Sequence, residues 1–199
     1  MAQPAQNLVL EADECLTLTP DSSRFKDAVE QVRPQTIAEV RRILGPSVDA
    51  GPNTPGGPCC LAPELSGAFP NPDDLTSTDP QVRFRARQLA QTAASAYVRA
   101  AEVSQLKLWE PFLDRFIQIT KASLAIYRFG DIDIANGATL TLGPRVQALY
   151  AGNIRMHGTG RIVAQGPATI RATTMSGPTR PLIAATLDTG VFQNAMRSA

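Results

Sequence analysis

An internal repeat constrains this chain more than any other feature. Arg128-Phe129-Gly130-Asp131-Ile132-Asp133-Ile134 reads onto Tyr150-Ala151-Gly152-Asn153-Ile154-Arg155-Met156 at an offset of 22 residues. The correspondence continues, with Leu140 meeting Ile162 and Leu142 meeting Ala164. One residue is then gained, and Gly143-Pro144 aligns with Gly166-Pro167. A period of ~20–50 residues marks a stacked architecture, in which each unit buries its apolar face only against the next. Within each unit the apolar residues alternate. Ile132 and Ile134 flank Asp133, Leu140 and Leu142 flank Thr141, and Ile154 and Met156 flank Arg155. Period two places the apolar members on one side of a strand and the polar members on the other. Asn136-Gly137, Gly143-Pro144, Gly158 and Gly166-Pro167 stand where turns are needed.

The reading is a short right-handed parallel β-solenoid over residues 122–177, in which a parallel stack sets Asp133 beside Arg155. A coil of this length is similar to those of right-handed parallel β-helix proteins. The texture of short glycine-punctuated strands resembles bacterial cytoskeletal solenoids of the bactofilin type. The resemblance is one of pattern, covers Tyr127 to Ala172 only and carries no family-specific motif. The rival reading is a small antiparallel β-sandwich, because Asn136-Gly137 is also a hairpin signal. Only two coils align well, and a third is faint through Thr174-Met175-Ser176. About three repeats are needed for such a stack to stand alone, so further contacts must come from the rest of the chain or from a second copy.

The rest of the chain reads as helical, which makes the expected fold class α+β, a helical N-terminal half packed on the solenoid. Residues 1–44 are assigned a strand (Asn7 to Leu18) and two short helices, Ser23 to Val32 and Gln35 to Leu44, the second with Ile37, Val40, Ile43 and Leu44 inward. The 36 residues from Gly45 to Pro80 hold eight prolines and five glycines and show no periodicity. They read as a wrapping loop, or as an arm that captures a protein partner. Residues 81–121 carry a long helix, opened by Asp79-Pro80 and running to about Lys107. An aromatic helix from Pro111 to Thr120 follows, suited to cap a solenoid end. The long helix has a seam of mostly small residues, Val82, Ala86, Leu89, Ala93, Ala96 and Ala100, fit for close approach of a second helix and hence for self-association. Residues 178–199 form a docking tail, with Leu182-Ile183-Ala184-Ala185 and Val191-Phe192 apolar enough to pack on this chain or a neighbour.

No catalytic signature, cofactor motif or metal set is found in the sequence. There is no Gly-Lys-Ser/Thr phosphate loop and no Gly-x-Ser-x-Gly elbow. The single histidine, His157, lies in a glycine-rich turn far from Cys59 and Cys60. Three cysteines, an odd number, make no disulfide framework. A net charge of +1 implies no pull toward nucleic acid, and no apolar run is long enough to span a membrane. The N-terminus lacks the pattern of a secretory signal, so the expected compartment is the cytoplasm. The expected function is a non-enzymatic assembly protein that forms homo-oligomers or polymers through solenoid ends and the helix seam. The alternative is a carbohydrate-binding or glycan-cleaving protein using Asp131, Asp133, Arg155 and Arg161 on one solenoid face, since glycan hydrolysis needs a pair of carboxylates.

Overall fold

Leu8 and Leu10 point inward with Val9 between them, and this alternation makes Leu8–Leu10 a strand, β1. Asp13, at φ 61°, turns the chain into β2, Cys15–Leu18. A single 3-10 turn at Ser23–Phe25 leads to β3, Val29–Val32. The structure is a computed structural model that describes residues 6–45, 70–99, 104–166 and 168–177. Three α-helices follow: α1, Ile37–Leu44; α2, Pro80–Arg99; and α3, Glu110–Thr120. The remaining strands are β4 (Leu124–Ile134), β5 (Thr139–Leu142), β6 (Val146–Met156), β7 (Arg161–Ala164) and β8 (Thr169–Ser176).

The chain is thus mixed α/β with parallel sheets, and the expected helical N-terminal half is corrected. Three strands and one 3-10 turn precede the first α-helix at Ile37. The segment read as a helix over Ser23–Val32 lacks a side-chain cap at Ser22. Its second half pairs antiparallel with β4, Val29 opposite Tyr127 and Val32 opposite Leu124, an arrangement that suits β-branched valines. The antiparallel sandwich is also overturned, because β4, β6 and β8 run parallel, and Asn136-Gly137 joins strands of two different sheets.

One sheet has the order β1-β4-β6-β8, with β3 beside β4, and the other is β2-β5-β7. Ile132 pairs with Ile154 and Leu140 with Ile162, each at an offset of 22 residues. The N-terminal strands add a layer that the repeat did not reveal, with Leu8 beside Ile132 and Leu16 beside Leu140. Apolar columns result, such as Leu8-Ile132-Ile154-Met175 and Leu18-Leu142-Ala164, and all of these residues but Met175 belong to the core of this unit. Each link between the sheets has four residues: 11–14, 135–138 and 157–160. In these stacked links a Cβ on Gly137 would meet Asp13 Oδ1 at 2.0 Å, and its φ of +79° favours glycine whatever the space.

Arg33–Ala122 forms a second unit. Thr36 caps α1 by accepting the Glu39 N–H at 3.2 Å, and Asp114 of α3 accepts the Ile37 N–H at 2.7 Å. α2 packs on α1, α3 and the 3-10 turn Pro72–Thr76. It is described over Pro80–Arg99, residues 100–103 lie outside the described residues, and a 3-10 turn, Ser104–Trp109, occupies the end of the expected run to Lys107. No described helix is long and apolar enough to cross a membrane.

Candidate interaction surfaces

The outward face of the larger sheet carries polar side chains in vertical register. Asn7 Oδ1 accepts the Asp131 N–H at 2.8 Å. Asp131 Oδ1 accepts from the backbone N–H of Asn153 at 3.2 Å and from its Nδ2 at 2.7 Å. Asn153 Oδ1 in turn accepts the Thr174 hydroxyl at 2.5 Å. Beside this ladder the strands approach closely, for a Cβ on Gly152 would lie 2.7 Å from the Gly130 carbonyl oxygen. Asp133 and Arg155 are register neighbours. The Asp133 carboxylate nevertheless pairs with His157 Nε2 at 3.0 Å, with side chains 38% and 59% exposed. Such an exposed pair contributes about 0–1 kcal/mol.

Asp131, Asp133 and Arg155 therefore share one sheet, and Arg161 does not join them. It lies on β7 of the smaller sheet, where its Nε donates to Thr139 Oγ1 at 3.2 Å. Asp131 is engaged by Asn153 and Asp133 by His157, so both carboxylates serve the stack. No group of three or more metal-binding side chains occurs among the described residues.

One feature was missed from the sequence. Arg128, Tyr150 and Arg171 occupy one register column. The two guanidinium carbons lie 4.8 and 5.5 Å from the Tyr150 ring centroid, within cation–π range. Arg128 also holds Glu30 at 2.9 Å. Extending the repeat offset from Arg128 to Tyr150 and on to Arg171 would have found the column. That chain order predicted no contact between them, because three charged or aromatic residues on one face are ordinarily solvated.

The two ends of the sheets differ. At the β1 end the core residues Leu8, Leu10 and Leu18 are at most 1% exposed. Phe25 and Ala28 belong to the same buried cluster, and Phe25 meets Phe129 edge-on at 5.6 Å. Tyr127 fastens the segment, its hydroxyl donating to the Thr19 carbonyl at 2.6 Å. Burial raises the Tyr127 pKa and keeps it a neutral donor. The Ser23–Phe25 turn thus contributes to this core, which no periodicity announces. At the other end Met175, last in its apolar column, is 42% exposed.

The helix seam divides. Ala86 and Ala93 are buried, Leu89 and Ala96 are half-buried and Val82 is exposed, while Ala100 lies outside the described residues. The buried stripe of α2 is Ala86, Ala90, Ala93, Ala94, Tyr97 and Val98, one step round from the expected seam. Phe84 stands out at 62% exposure, beside a shallow depression lined by Pro80, Gln81 and Arg85. Tyr97 donates to Glu110 Oε1 at 2.5 Å, and Arg41 Nη1 donates to the Tyr97 carbonyl at 2.7 Å. Burial, with the Glu110 carboxylate next, pushes the Tyr97 pKa up to about 12. The cluster is therefore a structural clasp between helices, with a tyrosine unsuited to act as a base. Residues 46–69, with Cys59 and Cys60, and the tail 178–199 lie outside the described residues, and so do the readings placed on them.

Comparison of the chain with protein-family models, with curated protein sequences and with solved structures returned no match. The functional reading rests on geometry.

Proposed function

We propose that the protein is a non-enzymatic structural protein that associates with further copies of itself through the β7–β8 end of its parallel sheets. The contrast between the two ends carries this reading. The core residues of the first layer, Leu8, Leu10 and Leu18, are at most 1% exposed, whereas Met175 ends its column 42% exposed. An exposed apolar column offers burial to a second copy. The helix seam takes a smaller part than the sequence suggests, because Ala86 and Ala93 are buried within their own unit. An odd cysteine count fits a reducing compartment such as the cytoplasm.

Light scattering over a dilution series tests the proposal. The expected mass exceeds 21.3 kDa and falls on dilution, and Met175→Glu moves the protein to monomer with unchanged circular dichroism. A wild-type monomer at every concentration would sink it. A second reading, binding of an acidic polysaccharide on the outward face, is favoured by the Arg128-Tyr150-Arg171 column alone. It predicts salt-dependent retention on immobilised heparin that Arg128→Ala weakens. Equal retention of both proteins would exclude that column.

A further inference from the structure

The net charge of +1 conceals a separation of charge along the stack of strands. Residues 6–32 carry Glu11, Asp13, Glu14, Asp21, Asp27 and Glu30 against Arg24 and Lys26, a formal excess of four acids. They supply the first layer, since β1 and β3 both pair with β4 on the edge that β6 does not take, and β2 pairs with β5. Residues 145–177 supply β6, β7 and β8, and carry Arg145, Arg155, Arg161 and Arg171 with no carboxylate. Residues 123–144, in the layer between, hold one arginine and two aspartates. Sheet order sets these groups in sequence along the stacking direction. The strand unit is therefore acidic at one end and basic at the other.

Part of this charge is met inside the chain. Glu14 pairs with Arg24, Glu30 with Arg128 and Asp21 with Arg145. Glu11, Asp13 and Asp27 make no ion pair among the described residues, and all three are exposed, as are Arg155 and Arg161. Four of these five share a corner of the stack. The links 11–14, 135–138 and 157–160 lie one on another, the Asp13 N–H donating to the Asn136 carbonyl at 3.1 Å and the Thr159 N–H to Asn136 Oδ1 at 2.9 Å. Glu11 and Asp13 belong to the first link, and Arg155 and Arg161 flank the third. The first and last layers also hold the large apolar side chains that the strand unit exposes among the described residues, Val9 at 55% and Met175 at 42%.

We propose that the self-association inferred above, on which this reading rests, runs head to tail, with the arginine-rich β6–β8 end of one copy against the acidic first layer of the next. Complementary charge on the two ends favours copies that face the same way. Two copies meeting through their β7–β8 ends would set arginine against arginine, and that juxtaposition works against the closed pair. A copy docked in line with its neighbour brings its link 11–14 over the corner that Arg155 and Arg161 flank, and covers Met175 in the same contact. Such a contact joins two different surfaces. It grows into a filament unless the rotation between copies closes a ring.

Two charge-altered variants of the full chain test the pairing by light scattering. One carries Glu11→Lys, Asp13→Asn and Asp27→Lys, the other Arg155→Glu and Arg161→Glu. Each alone should associate about tenfold more weakly than wild type or worse, because its two ends no longer attract. Mixed in equal parts they should regain mass, since the altered end of each now suits the altered end of the other. Unchanged association of either variant, or a mixture no heavier than its components, would overturn the proposal. Should a variant lose the wild-type circular dichroism, a salt series on the wild type decides. Raising the salt from about 0.01 M to about 1 M shortens the screening length from ~30 Å to ~3 Å and should weaken association about tenfold or more. Association that salt leaves unchanged or strengthens would overturn the head-to-tail contact. A wild-type mass that stops at twice the 21.3 kDa of one chain would overturn it too, while leaving self-association standing. A monomer at every concentration would refute both, so the two ideas fail separately.

Discussion

Gln147 keeps the two longest strands paired. Between Ala125 and Ile126 the register with β6 slips, Val146 facing Ala125 and Ala148 facing Ile126, which leaves Gln147 as the extra residue of a bulge. Its Oε1 accepts the Ala125 N–H at 2.7 Å, and the residue is only 6% exposed. Gln147→Leu keeps most of the volume but orphans that donor, and should lower the stability by ~1–3 kcal/mol in urea titrations. Asp114 is a different case. Burial raises its pKa above the usual carboxylate value, although its bond from the Ile37 N–H acts the other way. The raised group binds protons more tightly when folded. Its contribution is fully present below the unfolded pKa and is lost as pH rises through the folded one. Asp114→Asn retains an oxygen to cap α1 and removes that loss. The variant should gain stability relative to wild type as pH rises from acid to neutral, and a constant difference across that range would refute the account.

Among the elements, the Ser23–Phe25 turn is expected to matter beyond its length. Phe25→Ala would open a cavity in the core cluster and remove the ring contact with Phe129, at a cost of ~3–5 kcal/mol, readable as a lower urea midpoint. Neutral behaviour would show that the ring adds nothing to the cluster's stability. The same element marks where sequence reading ran out. The strands after Tyr127 were legible because period-two alternation and glycine turns recur there at a fixed offset. β1 and β2 belong to the same stack, yet their turn is Asp13 at positive φ in place of glycine, so no repeat was visible. Phe25, Ala28, Val29 and Val32 satisfy a helical stripe as well as a turn followed by a strand. Only pairing with β4, almost a hundred residues away, decides between them. On the candidate faces, shared register could be read for Asp133 and Arg155, but not that His157 would reach the Asp133 carboxylate first.

For the whole molecule the antiparallel register of β3 has a consequence for how the chain is assembled. Val32 lies directly opposite Leu124, and the entire helical unit runs between them. The points where the chain leaves the strand unit and where it returns are the two sides of one rung of the ladder, the geometry of a hairpin whose loop has been replaced by a folded insert. Such exchange is tolerated when the ends of the insert meet. Replacing Arg33–Ser123 with Asn-Gly should therefore give a polypeptide with strand-type circular dichroism and a cooperative thermal transition. A product without that transition would show that the sheets depend on the helices for more than connectivity. The hairpin position is, in this sense, a socket: helical modules of other lengths could be fitted there, or removed, with the pairing of the strands on either side left as it is.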